Sequence, residues 1–236
     1  MNDKFHAPSY GDYRSEIDKA YGCLGSHQYF QFIKIQALKN ILRQFASDNL
    51  PLRILDVGAG IGTMLAALPN NYLRVGVEPD PEMIQQVPHH PGSPDIVNAA
   101  GRALPFADGC FDVVYMASVL HHVEVDRTRS LLEECRRIIR PGGILVIFEH
   151  NAYNLPVVFF LKAFVKIDRD AHFFTPKALN KLLRSVHLQP ENPRYLCFFP
   201  GFLRFLFFLE KHLTWLPLGG QFCSVSSQRD ANPSMG

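Results

Sequence analysis

Asp56 and Glu78 flank a run of glycines at a spacing that suits a nucleoside ligand. The segment RILDVGAGIGTML, Arg53 to Leu65, reads as a strand, a tight turn and the start of a helix, with Asp56 two residues before Gly58. Glu78 closes the next apolar run, twenty residues after Gly58. A carboxylate there can accept hydrogen bonds from both hydroxyls of a ribose, as in dinucleotide folds. The turn departs from the dinucleotide pattern G-x-G-x-x-G. Gly58 and Gly60 fit, but the third glycine comes one position early at Gly62, and Thr63 stands in its place. A dinucleotide would also set its diphosphate against the Asp56 anion. S-Adenosylmethionine carries an ammonium and a sulfonium and no phosphate, so spacing and charge both favour it. Singly, Asp56 reads equally well as a turn or capping residue and Glu78 as a solvated strand end; together at this spacing they point to a ligand.

Methyl transfer from a sulfonium is an in-line displacement, in which holding nucleophile and methyl in line does most of the work. A base is needed only when the nucleophile arrives protonated, as a hydroxyl does. His121 and His122 follow the fourth strand, and Glu149, His150 and Asn151 end the fifth. An imidazole among them can take up a proton near neutral pH. The plainer alternative is that they shape a helix start and a surface loop. Asp168, Asp170 and His172 alternate in DRDAHFF, where loop salt bridges with Arg169 are a simpler use than a metal site, and no metal is expected. His89 and His90, between prolines, read as exposed loop.

Alternating elements must position these groups. HQYFQFIKIQALKNILRQFA spaces its apolar residues for a helix. LRILDV, YLRVGVE, DIVNA, CFDVVYMA and GILVIFEH read as five strands. Between them lie the short helix GTMLAALP, one from about Asp80 to Val87, and the amphipathic DRTRSLLEECRRIIR, ended by Pro141-Gly142-Gly143. Strands alternating with helices imply a parallel, doubly wound sheet, with ligands beyond the carboxyl ends of its strands. The tail continues as helices LPVVFFLKAFVKI and TPKALNKLLRSVH, a sixth strand RYLCFF, an aromatic helix over GFLRFLFFLEKHLTWL and a closing strand QFCSVSS.

The chain has 236 residues, enough for a single α/β domain over 1–236. Within it, 1–49 is expected to form a helical cover, 50–151 the cofactor half, 152–227 an acceptor lid with the last strands, and 228–236 a frayed tail. A net charge of +2 without a Lys/Arg run gives nucleic acid no support as a partner. Five scattered cysteines with no C-x-x-C pair argue against a disulfide framework or zinc knuckle. With a polar N-terminus and no spanning run, the expected location is cytoplasmic.

ILDVGAGIGT, VGVEPDPEMI, ALPFADGCFDVVYMASVLHHV and ECRRIIRPGGILVIFEHN resemble, in order, the successive motifs of class I S-adenosylmethionine-dependent methyltransferases. The closest look is that of the small-molecule group that includes quinone C-methyltransferases. The resemblance covers roughly residues 50 to 151. It implies a Rossmann-like α/β fold: a doubly wound, mostly parallel seven-stranded sheet with QFCSVSS as the antiparallel last strand, here with a helical aromatic lid. It further implies that Asp56, Gly58 and Gly60 hold the methionine part and Glu78 the ribose, with Pro79 and Met83 near the adenine. Leu104 would pack on the base, and Met116 and Ser118 would line the site after strand 4. One position departs from the family: an acid that contacts the adenine amine in many members is Ala100 here, which leaves backbone or Asn98 for that contact. FEHN, DRDAH and LPLGGQF are also similar to methyltransferases of surface-polysaccharide or lipopolysaccharide assembly.

The expected activity is therefore S-adenosylmethionine-dependent O-methylation of a small or glycan-like acceptor, lipid-linked ones included, with S-adenosylhomocysteine as product. His121, His122 and His150 are the catalytic candidates. C-methylation of a quinone-like ring and a non-catalytic S-adenosylmethionine-binding scaffold are the alternatives. The Phe-rich tail can cover the acceptor, pack in the core or at a homodimer face of an otherwise monomeric chain, or touch a membrane, with Lys162, Lys166, Arg204 and Lys211 at the polar edge.

Overall fold

The structure, a computed structural model, describes residues 27–46, 51–90, 92–100 and 103–228; most of the expected N-terminal cover and the tail from 229 lie outside them. The alternation read from the sequence is present as β1 (Arg53–Val57), α2 (Thr63–Ala66), β2 (Leu73–Glu78), α3 (Pro81–Ile84), β3 (Asp95–Asn98), β4 (Phe111–Ala117), α4 (Val125–Ile138) and β5 (Ile139–His150), preceded by α1 (His27–Phe45). α3 is shorter than expected but starts as its sequence dictates, with the Asp80 side chain accepting from the Glu82 amide and Pro81 in the first turn. α5 (Leu155–Phe164), α6 (Pro176–Ser185), β6 (Leu188–Pro190), β7 (Arg194–Leu196), α7 (Glu210–Leu213) and β8 (Gln221–Gln228) complete the described chain.

One sheet runs in the order β3-β2-β1-β4-β5-β8-β6. β1 to β5 pair in parallel, and β8 lies antiparallel to β5, with His150 opposite Gln221. β6 and β7 both pair with β8, at Ser226–Gln228 and Gln221–Cys223, so they share its free edge end to end. Eight strands thus fill seven positions. The expected sixth strand RYLCFF is present as β7 over Arg194–Leu196 only, and the unexpected β6 is separated from it at Pro193, which has no amide hydrogen to give to the ladder.

The central strands are buried on both faces, and their period of two sorts the core into layers. Leu55, Val114, Met116, Leu145 and Ile147 pack with Leu132 of α4 and Leu179 and Leu183 of α6. Ile54, Val113, Tyr115, Val146 and Phe148 face Ile33, Leu38, Ile41 and Leu42 of α1. α1 therefore crosses one face with its first turns near the carboxyl ends of β4 and β5.

The aromatic tail departs from the expected α-helix. Residues Gly201–Leu209 form successive 3-10 turns, with a break at Leu203, before α7. Three residues per turn place Phe202, Phe205 and Phe208 in one row, each more than 60% exposed, while Phe207 packs against Phe32. No residue of this segment is buried. The buried Glu210 fastens it by accepting from the amides of Cys197 and Phe198 at 3.0 and 2.8 Å. Among the described residues no helix is long and apolar enough to cross a membrane.

Candidate active site

β1 delivers Asp56 to the carboxyl edge of the sheet, buried to 3% exposure. Oδ2 accepts from the Tyr115 hydroxyl at 2.7 Å; Oδ1 is buried without a hydrogen-bond partner among the described residues. Burial pushes the carboxyl up to about 7, against the opposing pull of the Tyr115 hydrogen bond. The glycine turn that follows runs in left-handed backbone, at φ 80° for Gly58 and 55° for Gly60. A Cβ at Gly58 would stand 2.6 Å from Val119 Cγ2, so turn and strand-4 exit interlock only through glycine. Glu78 ties the turn to the next loop, with Oε2 accepting from the Gly60 amide at 2.8 Å and Oε1 from the Asp80 amide at 3.1 Å. Burial raises its carboxyl.

The remaining cofactor candidates divide. Pro79 is exposed and Met83 half-buried beside Gly60, its sulfur 3.6 Å from where a Cβ would stand. Leu104 and Met116 are core residues packed in one cluster, the Leu104 amide held by Glu134 at 2.9 Å. The Asn98 amide group donates to the Glu78 and Pro79 carbonyls, and Ala100 is exposed. Ser118 has left-handed backbone at φ 60°, a strained setting for a residue with a side chain. Its Oγ accepts from Lys34 Nζ at 3.2 Å.

Lys34 is the residue that sequence reasoning passed over. It is 6% exposed, and its ammonium is disfavoured by burial while Cys197, Glu149 and Asp56 pull the other way. Its signal was in the sequence: Lys34 interrupts the apolar stripe Phe30, Ile33, Leu38, Ile41 at a helical position that faces inward. One turn earlier, Phe30 lines a cavity of about 300 Å3 with His150, Val157, Phe160, Leu161 and Gln221. Its wall is otherwise almost wholly apolar.

The histidines gather around a buried carboxylate. Glu149 Oε1 accepts from the amides of Val119 and Leu120 at 3.1 and 2.7 Å, and Oε2 meets His121 Nδ1 at 2.6 Å. Asp168 Oδ1 lies 3.5 Å from Nε2 of both His121 and His122. Burial works against a charged His121, but Glu149 and Asp168 outweigh it and hold the imidazole up to about 9. Burial and then the His121 charge push His122 down to about 4 and His150 to about 3. His150 Nδ1 is buried without a hydrogen-bond partner among the described residues. Asn151 ties the following chain to the Pro217 and Gly219 carbonyls at 3.1 and 2.9 Å. Among the described residues the ion-pair partners of Asp168 are these histidines, in place of the expected Arg169. Asp170 and His172 face solvent, as do His89 and His90.

Residues 55–147 match the family of the methyltransferase domain. Over 99 residues the chain is 43% identical to an uncharacterized methyltransferase of Mycolicibacterium gilvum, a stretch that covers 41% of this chain and 38% of that one. An uncharacterized methyltransferase of Mycobacterium tuberculosis is 40% identical over 97 residues, 40% of this chain and 37% of its own length. A solved S-adenosylmethionine-dependent methyltransferase of Thermotoga maritima has the same fold, with a TM-score of 0.66 over 93% of this chain and 97% of that one at 16% identity.

Residues 55–147 are thus similar to the methyltransferase domain family, and the fold is that of solved S-adenosylmethionine-dependent methyltransferases.

The matched stretch spans about two fifths of the length of its curated relatives, 38% and 42% in two cases. The cofactor of this family is S-adenosylmethionine, and the residues fit it: a buried carboxylate oxygen without a partner suits an ammonium, and the turn beside it keeps side chains away. The family match ends at residue 147, within β5.

Proposed function

We propose that this methyltransferase transfers a methyl group to a hydroxyl oxygen of an acceptor with an apolar body. The observation that carries the reading is the pair of buried charges without a bonded countercharge, Asp56 on the Tyr115 hydroxyl and Lys34 on the Ser118 hydroxyl. A zwitterionic amino-acid moiety complements both, with its ammonium on Asp56 Oδ1 and its carboxylate on Lys34. Glu78 takes the ribose, its oxygens keeping lone pairs beyond those that bind Gly60 and Asp80. Gly58 and Gly60 let the backbone pass close to the methionine chain, with Pro79, Met83 and Leu104 around the adenine. S-Adenosylmethionine supplies the methyl group on a sulfonium.

The acceptor belongs in the cavity between α5, β8 and the start of α1. Its lining selects an apolar body, as a phenolic ring or the first units of a lipid carrier present, and a compact sugar attached to such a carrier is compatible with it. His150 and Gln221 are its polar groups, and His150 Nδ1, without a hydrogen-bond partner among the described residues, suits a hydrogen bond from the acceptor hydroxyl. The exposed row Phe202, Phe205 and Phe208, with Lys211 and Arg204 beside it, supports contact with a membrane surface from which such an acceptor would be drawn.

Calorimetric titration with S-adenosylmethionine, followed by an acceptor screen led by phenols and lipid-linked glycosides, tests this reading. Micromolar binding lost in Asp56→Ala, with methyl transfer lost in His150→Phe, supports it. Failure of the wild type to bind the cofactor overturns it.

A further inference from the structure

We infer that His121 Nε2, His122 Nε2 and Asp168 Oδ1 form a site for one divalent transition-metal ion of the zinc type, beside the acceptor cavity. The three ligand atoms lie within 4.8 Å of one another. Both nitrogens stand at the same 3.5 Å from a single carboxylate oxygen. That is long for an N–H···O hydrogen bond, which prefers about 2.7–3.2 Å. It fits two ligands on one cation, because metal–ligand distances of about 2.0–2.2 Å at a tetrahedral angle separate neighbouring ligands by roughly 3.3–3.5 Å.

The surroundings have the form of a metal site. Glu149 takes up Nδ1 of His121 at 2.6 Å and is itself fixed by the amides of Val119 and Leu120. A carboxylate on one imidazole nitrogen fixes the ring and turns the other nitrogen's lone pair outward, the usual support of a metal-bound histidine. Two imidazoles and a carboxylate suit zinc, iron, cobalt or nickel rather than magnesium or calcium. Three protein ligands leave a position open for a small molecule. Of the three, His122 is the accessible ligand, its side chain 26% exposed, whereas those of His121 and Asp168 are 1% and 8% exposed. The His150 ring, which lines the cavity, stands 5.1 Å from that of His121. On the methyltransferase reading, an ion here would bind the acceptor oxygen and favour its deprotonated form; the existence of the site does not depend on that reading. The site also explains why Asp168 alone is buried among the three alternating polar residues of DRDAHFF: it turns inward to meet the strand-4 exit, and Asp170 and His172 do not.

The test is titration of untagged, chelator-treated protein with Zn2+ by calorimetry, and with Co2+ by visible absorption, without cofactor or acceptor. One equivalent should bind, with the d–d spectrum of a four- or five-coordinate Co2+ ion. His122→Ala and Asp168→Asn should each weaken binding at least 100-fold, and Glu149→Gln by about 10- to 100-fold. Circular dichroism establishes that each variant is folded; because His122 is partly exposed, its variant keeps the test decisive if Asp168→Asn unfolds. Binding unaffected by His122→Ala would overturn the inference. So would a wild type that takes up no metal and shows, by 15N NMR, protons on both ring nitrogens of His121, in which case a proton alone joins Glu149 to Asp168. S-Adenosylmethionine binding is measured separately, so a failure of the metal site and a failure of the cofactor reading are told apart.

Discussion

Replacing Lys34 by methionine should weaken the protein's hold on its cofactor while making the empty protein more stable. Lys34 is 6% exposed, and its one hydrogen bond among the described residues is to the neutral Ser118 hydroxyl. The buried ammonium is therefore a cost to the empty fold, and methionine fills similar volume without it; such replacements are neutral or stabilising by up to about 4 kcal/mol. With cofactor bound, the same ammonium would meet the methionine carboxylate. A hydrogen bond to a charged group is worth about 1.5–3 kcal/mol, or roughly 10- to 150-fold in Kd. The assay is calorimetry with S-adenosylmethionine and with its decarboxylated analogue, which keeps the ammonium and sulfonium and lacks only the carboxylate. Wild type should prefer S-adenosylmethionine by that factor, and Lys34→Met should bind both alike. If the variant loses affinity for both ligands equally, Lys34 does not face the carboxylate and the placement is refuted. The stability difference has its own pH signature. Folding lowers the pKa of Lys34 below its ordinary 10.5, so the cost is full below the folded value and vanishes as pH rises to 10.5.

Three further outcomes follow from the same geometry. The Asp56 carboxyl rises from 3.8 to about 7 in the empty fold, so affinity for S-adenosylmethionine should be full above pH 7 and fall about tenfold per unit below it; the same shift stabilises the empty protein as pH falls from about 7 toward 3.8. A calorimetric Kd constant from pH 5.5 to 8 would contradict this. Gly58→Ala must place a Cβ 2.6 Å from Val119 in left-handed backbone, and should lower the melting temperature and abolish cofactor binding; wild-type affinity would mean that the turn can be rebuilt. Phe202, Phe205 and Phe208 are each more than 60% exposed, so their joint replacement by serine should leave melting unchanged and cut sedimentation with anionic lipid vesicles severalfold, whereas undiminished sedimentation would remove the membrane reading.

The fold was legible because its signals are local. Five apolar runs separated by turn residues give the strands, and their alternation with helices leaves little choice of topology. The cofactor turn was legible for the same reason: Asp56, the glycines and Glu78 lie within one βαβ unit. What failed was either non-local or a matter of helix type. Lys34 reaches Ser118 across 84 positions of sequence, and a lysine in a helix reads as solvated until the helix is packed. The apolar tail looked α-helical because 3.6- and 3.0-residue periods cannot be separated over nine residues. Asp168 was given to its neighbour Arg169 because a sequence shows neighbours, and its actual partners come from the exit of β4.

Asp56, Lys34, Glu149, His121, His150 and Asp168 are six buried ionisable groups at the carboxyl edge of the sheet, and the way they are matched separates what the chain completes by itself from what it leaves for a ligand. Glu149, His121 and Asp168 answer one another: both Glu149 oxygens and Asp168 Oδ1 face a ring nitrogen or an amide, and the cluster carries its own countercharge whether a proton or a metal ion sits between His121 and Asp168. Asp56 and Lys34 do not. They raise one another's ionised population only through space, and neither reaches the other: one keeps an empty oxygen, the other leans on a hydroxyl. His150 is the sixth, neutral and with one nitrogen unused. Leaving a buried polar group unmatched costs about 1–3 kcal/mol, and more for a charge. Three such costs beside one strained serine and one apolar cavity are hard to explain as packing, and each is removed by a partner of the right sign: an ammonium for Asp56, a carboxylate for Lys34 and a hydroxyl for His150. On the proposed reading the first two belong to one amino acid and the third to the molecule that is methylated, so the unmatched groups, more than the matched histidine cluster, would mark where the reaction takes place.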